Sequence, residues 1–195
     1  MNTTIFTTEN SADANNLSII DGILKLRHET FIQRLDWEIP SENGRERDQF
    51  DELNPHFIAV TDETQEVKGC WRALPTTGDY MLKSIFPELL QGETAPEREG
   101  IWEISRFAVK KGSADKARGN FGNVTLDLVR SFYDFAKENN VKSYVTVTSL
   151  ACERLLRQLG VNVRRMGEGK MKQIGVERTV ALWIEVNDNL NIVSH

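Results

Sequence analysis

The chain has 195 residues, 39% of them hydrophobic, and a formal net charge of −5 from 24 basic and 29 acidic residues. That length fits a single domain over residues 1–195 with a sizeable core, and the acidic balance argues against a nucleic-acid partner, which favours a basic excess. No stretch approaches the ~20 apolar residues needed to span a bilayer. The segment Met1 to Glu9 lacks the basic region and apolar core of a secretory leader, so a cytoplasmic location is expected. Cys70 and Cys152 are read as reduced thiols. With His28, His56 and His195 scattered, they show no ligand spacing, and no metal site is expected.

Taken in chain order, a short strand is predicted near Ile5 and Phe6. From Leu17 to Asp36, Ile20, Ile23, Leu24, Phe31, Ile32 and Leu35 recur at helical spacing, with an interruption expected near Gly22. Pro40 to Asn54 is polar and aperiodic and reads as a loop, on which Asp48 and Asp51 would be solvated acids. His56 to Val60 and Val67 to Ala73 read as two strands joined by a polar turn. A short helix is expected within Met81 to Leu90. A long amphipathic helix is predicted from about Asn120 to Asn139, with Phe121, Val124, Leu128, Phe132 and Phe135 on one face. Val141 to Thr148 is rich in β-branched residues and reads as a strand. Ala151 to Leu159 reads as a helix stopped by Gly160, and Val161 to Val163 and Thr179 to Val186 as closing strands.

The run Trp102-Glu103-Ile104-Ser105-Arg106-Phe107-Ala108-Val109 alternates like a strand yet carries a glutamate and an arginine. Alternation predicts Trp102, Ile104 and Arg106 on one face and Glu103, Ser105 and Phe107 on the other. Charges in so apolar a segment are costly unless paired or used. The plain alternatives are an edge strand with a solvated face, or a Glu103 that only pairs with Arg106 or another cation.

Other charged blocks precede this strand in order. Arg27 is followed by Phe31 at the fourth place and by Trp37 six residues later. Asp48 and Asp51 come next, then Arg72-Ala73-Leu74-Pro75-Thr76-Thr77, and finally Trp102-Glu103-Ile104-Ser105-Arg106. This ordered set resembles the acyl-homoserine-lactone synthases, the autoinducer synthases of bacterial quorum sensing, over roughly Leu26 to Trp183. Ala73 stands where the family usually has Leu, and Asp79 where Pro is common; neither position carries chemistry.

The resemblance implies one acyl-homoserine-lactone synthase domain with an α/β (α+β), N-acetyltransferase-like fold, a mixed twisted sheet flanked by helices. It implies an acyltransferase that makes an N-acyl-L-homoserine lactone from S-adenosyl-L-methionine and an acyl carrier thioester. The methionine amine attacks the thioester to form an amide, and lactonisation then releases methylthioadenosine. S-adenosylmethionine is a substrate, so no cofactor is expected. Glu103 becomes the general-base candidate, with Ser105 and Arg106 as its catalytic companions. Asp48 and Asp51 suit the substrate's positive groups. Arg27 and Arg106 suit its carboxylate, which arginine can grip with two hydrogen bonds. Phe31 and Trp37 would pack on the adenine or the sulfonium, although Phe31 is equally explained as helix core. Arg72 would organise the site through Asp48 or Asp51.

For the acyl chain, the resemblance points to Thr146 and Thr148, one of which marks synthases that prefer 3-oxo chains; both are otherwise ordinary strand threonines. An acyl carrier protein is acidic, so its docking patch must be locally basic. From Glu153 to Arg178 seven cations, among them Arg154, Arg157, Arg164 and Arg165, stand against three acids. A solvated charged face is the ordinary alternative. Coenzyme A-dependent N-acetyltransferases cradle a pyrophosphate on a glycine-rich turn that opens a helix. Lys116 to Phe121 matches that turn poorly, which favours a phosphopantetheine donor. Two rival readings stay open: a coenzyme A-dependent N-acyltransferase on a small amine, and a catalytically silent sensor of S-adenosylmethionine or acyl carrier protein.

Overall fold

The computed structural model describes residues 1–7, 14–112 and 122–186. The chain folds into two compact units, Met1–Ala73 with Arg106–Phe132 and Leu74–Ser105 with Tyr133–His195. Phe121 and the turn from Lys116 to Phe121 lie outside the described residues.

In the first unit, β1 (Asn2–Thr7) pairs antiparallel with β4 (His56–Thr61), which pairs antiparallel with β5 (Val67–Pro75). The last residues of β6 (Ile101–Val109) run beside β5, where Lys110 N donates to Lys68 O at 2.8 Å. Helix α1 (Ala14–Arg27) continues without a break into a π-helical turn, His28–Arg34. The interruption expected at Gly22 is absent. Gly22 is a packing requirement, since a Cβ there would sit 2.8 Å from Val67 Cγ2. The buried face of α1 (Ile19, Ile23, Leu26) and Phe31 pack with Phe57, Ala59, Val67 and Cys70 as this unit's core.

The segment expected to be a loop from Pro40 to Asn54 is ordered. It holds the hairpin β2 (Ser41–Glu42) and β3 (Arg45–Glu46), then a 3₁₀ turn, Gln49–Glu52. Asn43 and Gly44 turn the hairpin with φ of 51° and 73°, the left-handed pair that a two-residue hairpin needs. Apolar periodicity could not reveal these elements, because the hairpin is tied down by ion pairs and the 3₁₀ turn buries only one apolar side chain, Phe50.

In the second unit, β6 runs parallel to β7 (Ser143–Ser149), and β7 pairs antiparallel with β10 (Glu177–Glu185). Two short strands, β8 (Val163–Arg165) and β9 (Lys172–Ile174), pair antiparallel with β10. Parallel and antiparallel pairings together make this a mixed sheet. Helix α2 (Met81–Ser84) and helix α4 (Leu150–Gln158) belong to the same unit. Its core gathers Tyr80, Leu82, Leu89, Ile101, Val145, Met166 and Ala181. Helix α3 (Asn123–Glu138) is strongly amphipathic, and it buries Val124, Leu128, Val129 and Phe132 in the first unit and Phe135 and Ala136 in the second.

Candidate active site

Three arginines and three carboxylates are buried together in the first unit. Arg27 closes α1, Arg72 lies within β5 and Arg106 within β6, while Glu46 ends β3 and Asp48 and Asp51 bracket the start of the 3₁₀ turn. Arg27 donates from Nε to Glu46 at 2.5 Å and from both terminal nitrogens to Asp51 at 2.9 Å each. Arg72 bridges the two aspartates, at 2.5 and 3.1 Å to Asp48 and 2.7 Å to Asp51. Arg106 donates to Glu46 at 3.1 Å and lies 2.8 Å from Asp48. The formal charges cancel, which is the condition for burying so many ions.

The spacing of Asp48 and Asp51 has a local cause. The Asp48 carboxylate accepts from Phe50 N at 3.0 Å, and the Asp51 carboxylate accepts from Asp48 N at 2.9 Å. This reciprocal cap aims both carboxylates at the arginines. Burial pushes Asp51 upward, but the Arg27 charge and hydrogen bonds, with Arg72, overcome it and hold its carboxyl well below the usual range. Burial likewise weakens the charge on Arg27, and Asp51 and Glu46 more than restore it. The pair stays ionised at neutral pH.

Exposure sorts the cluster. The side chains of Arg27, Arg72, Glu46 and Asp51 are at most 2% exposed, whereas Arg106 reaches 7% and Asp48 12%. Solvent therefore meets one cation and one anion on a buried support of four charges. Arg106 has φ of 55°, a left-handed conformation that costs a non-glycine residue roughly 1–2 kcal/mol. This interrupts the strand's alternation, so the face expected to join Trp102, Ile104 and Arg106 stops at Ile104. The guanidinium turns instead to the carboxylates and stands 5.5 Å over the Phe31 ring. Phe31 stacks on Trp37 with centroids 4.8 Å apart. Phe31 is buried in the core, and the partly buried Trp37 packs against it. The π-helical turn that carries Phe31 also buries the Thr30 hydroxyl without a hydrogen-bond partner among the described residues; such turns recur at functional sites.

Glu46 is the member that sequence reasoning missed. It sits in an aperiodic stretch, Arg45-Glu46-Arg47-Asp48, where alternate charges look solvated. A signal was present: three arginines in apolar segments need a third anion beside Asp48 and Asp51.

In the second unit Glu103 is buried, and its two oxygens accept from Met81 N at 3.0 Å and Leu82 N at 2.7 Å. The backbone at the start of α2 thus fixes the carboxylate. Ser105 is buried on the same strand. Thr146 is buried in β7, with a hydroxyl contact of 3.5 Å to Val147 O, and Thr148 is partly exposed. Of the four arginines that the sequence offers as a docking patch, Arg157 and Arg165 share Glu153 at 3.0 and 2.8 Å. Arg164 grips Glu93 at 2.7 and 2.9 Å. Arg154 is exposed and makes no ion pair among the described residues. No group of three or more His, Cys, Asp and Glu side chains fit to hold a metal occurs among the described residues, and no described helix is long and apolar enough to cross a membrane.

The model of a family described as autoinducer synthase matches residues 11–191. The acyl-homoserine-lactone synthase of Aliivibrio fischeri (strain ATCC 700601 / ES114) is 44% identical over 167 residues, 86% of each chain. The crystal structure of the AHL synthase LasI superposes with a TM-score of 0.85 at 37% identity, covering 98% of this chain and 92% of that one. The ternary complex of TofI with an inhibitor and MTA superposes with a TM-score of 0.80 at 28% identity, covering 97% and 94%. Fold alone is shared with the catalytic domain of a Tetrahymena GCN5 histone acetyltransferase, at a TM-score of 0.53 and 15% identity over 98% and 96% of the two chains. The architecture is therefore the mixed α/β fold of the N-acetyltransferase-like acyltransferases. Within that class, the chain belongs to the autoinducer synthase family.

Proposed function

We propose that this chain synthesises an N-acyl-L-homoserine lactone signal from S-adenosyl-L-methionine and an acyl-acyl carrier protein. The observation that carries the reading is the pair Asp48 and Arg106, opposite charges at the wet edge of a buried cluster beside the Phe31–Trp37 stack. S-adenosylmethionine presents a carboxylate, an ammonium, a sulfonium and an adenine. Arg106 suits the carboxylate, Asp48 the cations, and the aromatic pair the adenine or the sulfonium. Arg27, Arg72, Glu46 and Asp51 hold those two groups in place, so Arg27 supports the substrate carboxylate's site rather than touching it.

In the first step the ammonium loses a proton to Glu103, directly or through one water, with Ser105 alongside. The amine nitrogen then bonds to the acyl carbonyl carbon, and the thiolate of the carrier leaves and takes up a proton. In the second step a carboxylate oxygen bonds to the γ-carbon. The carbon–sulfur bond breaks toward sulfur, which converts the sulfonium to the thioether of methylthioadenosine. Neither step requires a resident cofactor or metal. On this reading residues 1–195 form one synthase domain, placed in the cytoplasm. Thr146 offers its hydroxyl to an oxygen on the third carbon of the acyl chain, with Thr148 beside it. Exposed Arg154, with the partly neutralised Arg157, Arg164 and Arg165, supports docking of an acidic carrier.

The test incubates purified protein with S-adenosylmethionine and each of three donors: acyl carrier thioester, acyl-coenzyme A and acyl-pantetheine. Methylthioadenosine release and the lactone mass are followed. Methylthioadenosine should appear only when both substrates are present, and fastest with the carrier. Acylation of a simple amine from acetyl-coenzyme A at an equal rate would transfer the chain to the rival N-acyltransferase reading. Binding of S-adenosylmethionine without turnover on any donor would favour a silent sensor.

A further inference from the structure

One face of β7 carries Tyr144, Thr146 and Thr148, since alternate residues of a strand point the same way. β10 sets Ile184, Leu182 and Val180 opposite them, and β6 sets Trp102 beside Tyr144 and Ile104 beside Thr146. The face is graded in exposure. Thr148 is partly exposed, Thr146 is 6% exposed and Tyr144 is 0% exposed. Solvent thus reaches one end and is excluded at the other, roughly 13 Å along the strand.

Aromatic rings crowd the closed end. Trp102 packs edge-on against Phe135 with centroids 5.3 Å apart. Tyr133, two residues before Phe135 on α3, buries its hydroxyl without a hydrogen-bond partner among the described residues. A buried hydroxyl with no partner is destabilising relative to the same ring without it, so packing alone does not account for a tyrosine there. Burial pushes the Tyr133 phenol up to about 12. Burial, and then Tyr133, push the Tyr144 phenol up as well.

Resting on the proposed synthase reading, we propose that Tyr144, backed by Tyr133, is the stop that sets acyl-chain length. An acyl chain that enters at Thr148 and passes Thr146 ends against the Tyr144 ring. The chain therefore selects short acyl groups over long ones, because a longer chain must displace a fully buried ring from a close-packed aromatic cluster. This separates two tasks on one strand face: the threonines meet oxygen near the head of the acyl chain, and the tyrosine measures its tail.

The experiment measures kcat/KM for a series of acyl donors lengthening by two carbons, in wild type and in Tyr144→Leu, Tyr144→Phe and Tyr133→Phe. Tyr144→Leu should raise the ratio of long-donor to short-donor kcat/KM by about tenfold or more, the usual discrimination for methylenes in an apolar pocket. Tyr144→Phe keeps the ring and should leave the ratio where it was. Tyr133→Phe should also keep the ratio and should melt at a higher temperature, since it removes the unpaired hydroxyl. A ratio is internal to each preparation, so partial loss of folded protein in Tyr144→Leu does not move it. An unchanged ratio in Tyr144→Leu, with wild type active, overturns the length stop and leaves the synthase reading standing. If wild type makes lactone from no donor, the synthase reading falls instead.

Discussion

Replacing Glu46 with Gln tests whether the six buried charges act as one unit. The amide matches the carboxylate in size, so no cavity opens, but the cluster passes from neutral to a net positive charge. Glu46 is wholly buried and accepts from Arg27 at 2.5 Å and from Arg106 at 3.1 and 3.2 Å. Leaving a buried partner uncompensated costs about 3–5 kcal/mol. For a chain of this size, ~2–4 °C of melting temperature accompanies each kcal/mol, so the midpoint should fall by roughly 6–20 °C. Asp21→Asn is the control, because Asp21 pairs with Lys25 and Arg45 at the surface. Such exposed pairs contribute about 0–1 kcal/mol. Thermal unfolding followed by circular dichroism, with urea titration beside it, measures both. Glu46→Gln should also raise the KM for S-adenosylmethionine, since Arg106 loses the group that orients it. A loss of under ~1 kcal/mol, no larger than that of Asp21→Asn, would refute the claim that Glu46 completes the cluster.

Three further outcomes are expected. Glu103→Gln should lower turnover by roughly 10²–10⁴-fold, because the amide cannot take the proton and has one acceptor oxygen for the Met81 and Leu82 amides; calorimetric binding of S-adenosylmethionine should change little, and near-full activity would assign the base elsewhere. Asp51 titrates below its unfolded value of ~3.9, so its stabilisation is complete above that pH and is lost as pH falls toward the folded value. Urea midpoints between pH 3 and 7 should therefore drop on the acid side in wild type and less steeply in Asp51→Asn; parallel curves would remove Asp51 as the cause. Arg154→Glu, which breaks no ion pair among the described residues, should slow use of the acyl carrier donor but not of acyl-pantetheine, and added salt should shrink the wild-type preference for the carrier. Equal harm to both donors would assign Arg154 to the fold.

Much of this protein was determined by local sequence. The apolar spacing of α3 and the β-branched run of β7 depend on neighbours within a few residues, and spacing displays such neighbours directly. The strand with Glu103 and the ordered charged blocks were legible for the same reason. Tertiary structure decided what those charges meet. Arg27 finds Glu46 nineteen positions away and Arg106 finds it sixty away, pairings that no local period encodes. The hairpin that presents Glu46 was overlooked because its stability comes from those pairings and not from an apolar face. The left-handed backbone at Arg106 turns its side chain off the face that alternation assigns. Likewise, three of the four candidate docking arginines are engaged by Glu153 and Glu93, so the count of charges in the sequence overstated the charge left at the surface. A charge is written in the sequence, but its partner is set by the fold, because Coulomb attraction acts through space while composition and period record only order along the chain.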